Sequence, residues 1–354
     1  MLPPEVLKRA ESEISNYNGT GMSVMELDAS SPEFREILTS CEAALREVMG
    51  VPQNYKVLFM QGGESVQYSA IPLNLLSGHK CADYVLTGVH SRNAYLEGKK
   101  YCDAKIVASY AGANPIYSAI PPLSTNDFRP DADYVHICYN NTIYGTTFKE
   151  FPDTGSIPLV VDMSSCMLSE PVDVSKCALI YAAVSNGIAP SGLTIVIIRE
   201  DLIGNADPFT PSTMNYKLVS DSGSMYDTPP IWSVYMAKLT FEWILSVGGL
   251  EEMKRRNERK AGVLYDFLDG QQYFTSSTSS TCRSMMNVVF TTGDAMMDDV
   301  FIEEASQQGF KYLRGNSVVS GMCASLYNAM PAEGVAELVK FMKDFALSHP
   351  KRYK

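Results

Sequence analysis

Two apolar segments separated by a short polar loop constrain the fold of this chain more than any other feature. Leu179–Val184 and Leu193–Ile198 are rich in Ile, Val and Leu and are hydrophobic on both faces, a pattern typical of central strands in a buried sheet. In an α/β enzyme, a loop held between two such strands is a usual place for chemistry. The loop here, Ser185–Gly192, contains no Lys, His, Cys, Asp or Glu. Any function assigned to the chain has to account for that absence.

Strands and helices alternate through the first half of the chain. Helical patterns at 65–75 and 91–101 lie among apolar β-type segments at 56–60, 83–87, 105–109, 134–138 and 159–163. Such alternation predicts a mostly parallel sheet that is covered by helices on both faces. The tight turn between the two opening segments predicts that they form an antiparallel pair.

The flanking segments predict further helices and a second domain. Helices are expected at 1–17 and from Pro32 to Met49, the latter because Ser31 precedes Pro32 as a favourable N-cap. Two long helices, ending at Val247 and spanning 250–268, are followed by a strand at 286–290, a helix at 298–308, a strand pair near 322–327 and a helix at 331–347. We therefore predict a large α/β domain at 17–255 and a small α+β domain formed by 1–16 and 256–354.

Composition excludes several classes of partner and cofactor. The net charge of −11 comes from dispersed acidic residues and argues against nucleic acid or an anionic membrane as the main partner. The eight cysteines stand alone, without metal-ligand spacing, so reduced structural thiols and no metal are expected. No apolar run approaches the roughly 20 residues of a membrane span, and the start has neither signal-peptide nor transit-peptide character. These features predict a cytoplasmic protein.

Three polar segments follow predicted strands and are candidate sites. Gly62 and Gly63 lie between a strand and a helix, where backbone N–H groups can hold a phosphate or where glycine serves turn geometry alone. Asp162 lies at the C-terminal end of a buried strand, where it could bind a pyridinium nitrogen or cap the next turn. Asn140–Thr142 follows another strand and is equally open to both interpretations.

The chain resembles the phosphoserine aminotransferases, a family of class-V aminotransferases that use pyridoxal 5'-phosphate. The segments that carry the resemblance run almost end to end and include FMQGGES (59–65), NNTIYG (140–145), VDMSS (161–165), SGLTIVIIRED (191–201), SMYDTPP (224–230) and ASLYNAM (324–330). The resemblance implies a fold-type I aminotransferase, with a mainly parallel seven-stranded sheet sandwiched by helices and a smaller α+β C-terminal domain. It also implies a homodimer.

The same resemblance places Asn186 at the position of the Schiff-base lysine. Its neighbour Ser185 takes the place of a glutamine on the phosphate side. An amine is needed both to tether the cofactor and to move a proton, and a carboxamide has no usable basicity near neutral pH. The resemblance therefore implies a divergent member with no catalytic residue at the lysine position.

The family positions that bind the substrate are occupied by neutral residues. Histidines and arginines that clamp the phosphate and carboxylate groups of the substrate are replaced by Ala29, Ser30, Asn316, Ser317 and Cys323. Each replacement of a charged hydrogen-bonding group forfeits roughly 1.5–3 kcal/mol. The resemblance thus implies a degenerate substrate site.

Fewer of the family positions that bind the cofactor are changed than of those that bind the substrate. They fall on Glu64, Ser65, His90, Thr142, Asp162, Ser185, Asp227 and Thr228. Glu64 and Asp227 would add negative charge near a phosphate dianion, and His90 replaces a tryptophan that stacks on the pyridine ring. The resemblance implies that Asp227 reaches the cofactor phosphate across the dimer. It therefore implies that no cofactor is bound covalently and that pyridoxal phosphate binds at most weakly, without a covalent bond.

This pattern predicts a catalytically inactive protein, a pseudoenzyme retained as a dimeric structural or regulatory subunit. It would pair with itself, with a related aminotransferase or within a larger assembly. One alternative is a protein that binds a new ligand in the emptied pocket. The other is an active phosphoserine aminotransferase of serine biosynthesis, which would act on 3-phosphohydroxypyruvate and L-glutamate.

Overall fold

A seven-stranded sheet forms the centre of the molecule in the computed structural model, which describes residues 1–185 and 187–351. The strands of this sheet are β1 (Tyr55–Gln61), β2 (Cys81–Leu86), β3 (Asp103–Ser109), β4 (Tyr134–Cys138), β7 (Leu159–Asp162), β8 (Leu179–Ala183) and β9 (Leu193–Arg199). Four short strands lie outside it: β5 (Asn140–Asn141), β6 (Thr146–Thr147), β10 (Asn287–Phe290) and β11 (Met322–Ser325).

The helices surround this sheet and extend the chain at both ends. They are α1 (Pro4–Glu13), α2 (Pro32–Met49), α3 (Glu64–Leu75), α4 (Val89–Gly98), α5 (Tyr216–Asp221), α6 (Ile231–Ser246), α7 (Gly249–Asp269), α8 (Ala295–Gln307) and α9 (Ala332–Ser348). Among residues 1–185 and 187–351, no helix is both long and apolar enough to cross a membrane.

The strand order is β1-β9-β8-β7-β4-β2-β3. The neighbours from β8 to β3 run parallel, whereas β9 is antiparallel to both β8 and β1. The predicted antiparallel pair and the predicted fold class are therefore confirmed. Because β4, β7 and β8 are parallel, their carboxyl ends meet at one edge of the sheet, which is where α/β proteins bind ligands.

Two apolar layers bury the two faces of the sheet. Helices α2 and α6 cover one face, and α3, α4 and α5 contribute to the other. All residues of β8 and all but the last of β9 are buried, which explains their uninterrupted apolar sequence. All eight cysteines are free thiols, as predicted.

The C-terminal region has an apolar core of its own. Helices α7, α8 and α9 pack with the β10–β11 ribbon around a group of phenylalanines that includes Phe274, Phe290, Phe301 and Phe345. The strand pair predicted near 322–327 is wrong in detail, because β11 is a single strand whose partner is β10. The N-terminal helix is shorter than predicted: Pro3 is its N-cap, and Asn18 has a φ of 46°, inside the turn that follows the helix. The proposed domain boundaries stay a prediction.

Candidate active site

A cavity of about 460 Å³ opens at the carboxyl ends of β4, β7 and β8. Its size and position suit a small ligand. One wall comes from the sheet and the turns that follow its strands, and we call it the sheet wall. It consists of Glu64, His90, Cys138, Asn140, Thr142, Ile143, Asp162, Ser164, Ser165 and Ser185. The opposite wall comes from the C-terminal region, and we call it the rim. It consists of Asn287, Tyr312, Arg314, Gly315, Asn316, Cys323, Ser325 and Tyr327.

Asp162 is the most deeply buried charged group of the sheet wall. It ends β7, it is 3% exposed, and its Oδ1 accepts a hydrogen bond of 2.9 Å from the backbone N–H of Ser164. Burial raises the pKa of Asp162, while the hydrogen bonds from Ser164 and the nearby His90 oppose this rise. Among the described residues, no Lys or Arg forms an ion pair with it. A buried carboxyl group in this position suits a ligand atom that carries a proton, such as a pyridine nitrogen.

Two aromatic side chains lie beside Asp162 on the same face of the sheet. Tyr181 is its Cα partner on β8, and the hydroxyl of Tyr181 is 2.9 Å from Nε2 of His136 on β4. Complete burial lowers the pKa of His136 to about 3, so this imidazole is neutral at physiological pH. Tyr181 is buried as well, and together the two rings form a rigid, uncharged support next to the carboxyl group.

The N-terminus of α3 forms a second part of the sheet wall. Gly62 has a φ of +100°, and a Cβ atom there would lie 2.6 Å from Cγ2 of Val66, so the turn requires glycine. Gly63 is the N-cap, and no side chain of the described residues caps the first amides of the helix. These N–H groups are available to an anion such as a phosphate.

Glu64 opposes an anion at the same place. It lies in the first turn of α3, and its Oε1 is 3.8 Å from Nδ1 of His90, which is also 3.4 Å from the hydroxyl of Tyr68. A protonated His90 would offset the charge of Glu64. The sheet wall therefore combines free helix amides with one carboxylate that weakens their attraction for a phosphate.

A buried hydrogen-bond network ties the sheet wall to the rim. The side-chain amide of Asn140 donates to Oγ of Ser165 at 2.7 Å and to Oδ1 of Asn287 at 2.9 Å, and its Oδ1 accepts from Oγ of Ser284 at 2.5 Å. Asn287 belongs to β10, so this network joins the end of β4 to the C-terminal region. The sequence left a binding role and a structural role open for Asn140, and its hydrogen bonds give it a structural role at the edge of the cavity.

The rim carries a guanidinium group that sequence reasoning missed. Arg314 lines the cavity, and its Nη1 is 2.6 Å from Oδ1 of Asp299 on α8. Its neighbours Asn316 and Cys323 also line the cavity. Burial raises the pKa of the Cys323 thiol to about 11, so this side chain is neutral. The one available signal was that Arg314 directly precedes Gly315 and Asn316, a segment that the resemblance had already singled out.

The structure brings together only some of the predicted site residues. Those that line the cavity are Glu64, His90, Thr142, Asp162, Ser185, Asn316 and Cys323. Those outside its lining are Ala29, Ser30, Ser65, Ser317, Asp227 and Thr228. Asn186 lies outside the described residues. No group of His, Cys, Asp and Glu placed to hold a metal occurs among residues 1–185 and 187–351.

The residues outside the lining have other surroundings in this chain. Ser30 is exposed, and its backbone N–H donates to Asp28. Asp227 lines a separate cavity of about 320 Å³, and the carbonyl of Thr228 accepts a hydrogen bond of 2.5 Å from Nε2 of Gln61. The resemblance assigned Asp227 to the site of a partner subunit. That assignment stays a prediction.

Comparison with known proteins gives a consistent result along the whole chain. The family model described as aminotransferase class-V matches residues 1–338. A phosphoserine aminotransferase of Bacillus thuringiensis subsp. konkukian is 45% identical over 349 residues, which cover 99% of this chain and 96% of that protein. The fold also matches solved structures of phosphoserine aminotransferase. One, from Bacillus circulans subsp. alkalophilus, has a TM-score of 0.94 at 38% identity and covers 98% of this chain and 96% of that chain.

A further solved structure bears on the cofactor. The phosphoserine aminotransferase of Trichomonas vaginalis, described as bound to PLP, has a TM-score of 0.89 at 34% identity, and each chain is covered to 97%. Pyridoxal 5'-phosphate is thus the cofactor of the family.

These findings contradict the prediction of a pseudoenzyme kept as a structural or regulatory subunit. That prediction rested on single positions, chiefly Asn186, while full-length similarity to proteins named as aminotransferases weighs against it. In addition, the cavity retains Asp162 at the end of β7. The prediction of an inactive protein is therefore wrong, and the comparisons favour the alternative of an active aminotransferase.

Proposed function

This chain belongs to the class-V aminotransferase family, among the phosphoserine aminotransferases, and we propose that it transfers an amino group from L-glutamate to 3-phosphohydroxypyruvate. The observation that carries the proposal is the buried Asp162 at the carboxyl end of β7, facing a cavity that fits a small ligand. Full-length similarity to phosphoserine aminotransferases supports the choice of substrate. The product would be an amino acid that carries a phosphate ester.

The residues of the cavity fit pyridoxal 5'-phosphate. Asp162 would hold the pyridine nitrogen, and the free amides at the start of α3 would hold the phosphate together with Thr142. The carboxyl of Asp162 is buried without a Lys or Arg partner among the described residues, which is the environment that a protonated ring nitrogen completes. When bound, this cofactor withdraws electrons from the substrate Cα.

The contribution of the chain itself is to keep a proton on the ring nitrogen. Asp162 does so through its charge, and the N–H of Ser164 fixes the direction of the carboxylate. Tyr181, the Cα partner of Asp162 on β8, is buried and hydrogen-bonded to His136, so the packing beside the carboxylate is fixed before a ligand binds.

We propose further that the cofactor is held without a covalent bond. The position that the resemblance assigns to the lysine is Asn186, and a carboxamide forms no imine with an aldehyde. A group other than a lysine amine must then move the proton at the substrate Cα. His90 is the imidazole that lines the cavity, with Nδ1 facing Glu64 and Tyr68, and imidazole is the side chain best suited to proton transfer near neutral pH.

The quaternary structure and location are part of the same proposal. A homodimer would allow Asp227 of one subunit to reach the phosphate site of the other, as the resemblance implies, and we propose that the adjacent Thr228 does the same. Neither residue reaches the cavity of its own chain. The acidic composition fits a cytoplasmic protein with small-molecule substrates.

The test combines cofactor binding with turnover. Purified protein is titrated with pyridoxal phosphate by absorbance, treated with borohydride, and assayed with 3-phosphohydroxypyruvate and L-glutamate. We expect saturable binding, no reduced adduct on any lysine of the chain, and turnover that requires the cofactor. Absence of turnover in the saturated protein would overturn the proposed function. An adduct in an active protein would overturn only the non-covalent attachment.

A further inference from the structure

The cavity is unusual in its balance of charge for a site that takes an anionic substrate. Glu64 and Asp162 contribute two carboxyl groups, whereas Arg314 is the only Lys or Arg that lines it among the described residues. Asn316 and Cys323, at positions that the resemblance assigns to substrate-binding cations, carry no charge. Any anionic group of a substrate would therefore find one permanent positive charge in the cavity.

The backbone around Arg314 is held firmly at the rim. Arg314 is paired with Met322 in an antiparallel bridge, and the N–H of Gly315 donates to the carbonyl of Gly321 at 2.9 Å. A Cβ atom on Gly321, whose φ is +74°, would lie 2.8 Å from the carbonyl oxygen of Phe290. Only glycine is accommodated at this crossing, so Arg314 emerges at a fixed place beside β11.

The side chain of Arg314 has hydrogen-bonding capacity left for a ligand. Asp299 accepts from Nη1 alone, and a guanidinium group carries five N–H donors. The side chains of both partners are 63% exposed, and an ion pair this exposed contributes little stability. A doubly charged phosphate can therefore share the guanidinium group with Asp299 or displace that carboxylate.

We propose that Arg314 binds the phosphate ester of the substrate and that Asp299 holds the guanidinium group at the rim until the substrate arrives. This inference rests on the proposed function, because it names the group that recognises the substrate of that reaction. The planar guanidinium group suits a phosphate because two parallel N–H groups reach two oxygens at once. In this chain Arg314 would bind the phosphate, because the family positions of the substrate-binding cations are occupied by the neutral residues Asn316 and Cys323.

The experiment measures the binding of an unreactive probe by calorimetry. The probe is 3-phosphoglycerate, which has the phosphate and carboxylate groups of the substrate but no reacting carbonyl or amine. Glycerate, which lacks only the phosphate, is the paired probe. Both are titrated into full-length protein that has been saturated with pyridoxal phosphate. The variants are Arg314→Gln, Asp299→Asn and, as matched control, Arg255→Gln, whose 67% exposed side chain pairs with Glu252 outside this cavity.

We expect Arg314→Gln to weaken 3-phosphoglycerate binding about 10-fold to 100-fold, because a charged hydrogen-bonding partner is lost. Glycerate binding should be unchanged. Asp299→Asn should tighten 3-phosphoglycerate binding roughly twofold to fivefold by removing a competing carboxylate, and the control should match the wild type.

Two results would contradict the inference, and they differ in what else they overturn. If Arg314→Gln binds 3-phosphoglycerate as tightly as Arg255→Gln does, Arg314 does not recognise the phosphate, while the proposed function stands. If wild-type protein that is saturated with cofactor neither binds 3-phosphoglycerate nor turns over the substrates, the inference and the proposed function both fail.

Discussion

The two walls of the cavity differ in how deeply their polar side chains are buried and in how many hydrogen bonds hold them. On the sheet wall, Asp162 and Asn140 are 3% exposed and are fixed by hydrogen bonds within the packed ends of the strands. On the rim, Arg314 and Asn316 are exposed, and Arg314 is held by one exposed ion pair. The buried part of the sheet wall is therefore preorganised, while Arg314 on the rim is free to exchange its exposed partner for a ligand.

This contrast has a consequence for mutation. Substitutions of the buried polar residues of the sheet wall, Asp162 and Asn140, should damage stability or cofactor binding, because they leave buried polar groups without partners. Substitutions of the exposed rim residues Arg314 and Asn316 should change ligand affinity and leave the fold intact, because exposed side chains contribute little to stability.

The largest effect is expected at Asp162. Asp162→Asn removes the charge that keeps a proton on the ring nitrogen, so turnover with saturating cofactor should fall by about 1000-fold. Steady-state assays of the amino-group transfer measure this directly. The control is Asp201→Asn, an exposed carboxylate paired with Arg199 far from the cavity, which should retain full activity. Comparable activity in the two variants would remove Asp162 from the active site.

The next effect compares two asparagines, one on each wall. Asn140→Ala breaks three side-chain hydrogen bonds of the buried network and should lower the free energy of unfolding by about 3 kcal/mol. Asn316→Ala on the exposed rim should change it by less than about 0.5 kcal/mol. Denaturant unfolding of both variants provides the measurement. Equal losses would show that the walls do not differ in rigidity.

A third effect concerns the support beneath the rim. Lys260 on α7 is 2% exposed, and its Nζ donates to the carbonyls of Leu326, Tyr327 and Asn328. Burial lowers the pKa of Lys260 from 10.5 to about 8. Since its pKa is lower in the folded state, the unfolded chain binds more protons between about pH 8 and 10.5, and this group makes the fold more stable as the pH rises through that window.

Lys260→Met should abolish this pH dependence. The wild-type free energy of unfolding should increase between pH 8 and 10.5 by about 2 kcal/mol more than that of the variant. Lys254→Met, which removes a partly exposed lysine paired with Glu170, should follow the wild type. Parallel pH profiles for the wild type and Lys260→Met would show that the buried amine does not titrate in this range.

The smallest effect tests the charge at the start of α3. Glu64→Gln removes a carboxylate from the first helical turn and should tighten pyridoxal phosphate binding about threefold to tenfold, because repulsion of the phosphate is relieved. Glu258→Gln, on the exposed face of α7, is the control and should bind as the wild type does. Weaker binding by Glu64→Gln would indicate that Glu64 assists the cofactor through His90 and does not repel it.

Much of the sheet wall could be predicted from the sequence, because the strands are apolar and the polar residues directly follow them. Asp162 ends β7, and Gly62 and Gly63 follow β1, so local pattern and strand order together placed them at one edge. The rim could not be derived in this way. Arg314 reaches the cavity through a backbone crossing with Gly321 and through an ion pair with α8, and neither contact leaves a periodic signal.

The error about activity came from weighing single positions against the rest of the chain. Asn186, Asn316 and Cys323 were interpreted as the loss of a function, although the remaining site residues and the full-length similarity point to its retention. The cavity shows that a missing cation at one position can be accompanied by another nearby, as with Arg314 beside Asn316. Sequence spacing alone cannot identify such a substitute.

The most direct test of the central claim is turnover of 3-phosphohydroxypyruvate and L-glutamate by purified full-length protein, with and without pyridoxal phosphate, beside the Asp162→Asn variant. We expect cofactor-dependent formation of 2-oxoglutarate by the wild type and a loss of about 1000-fold in the variant. Formation of 2-oxoglutarate at the same background rate in both proteins, with cofactor present in excess, would contradict it.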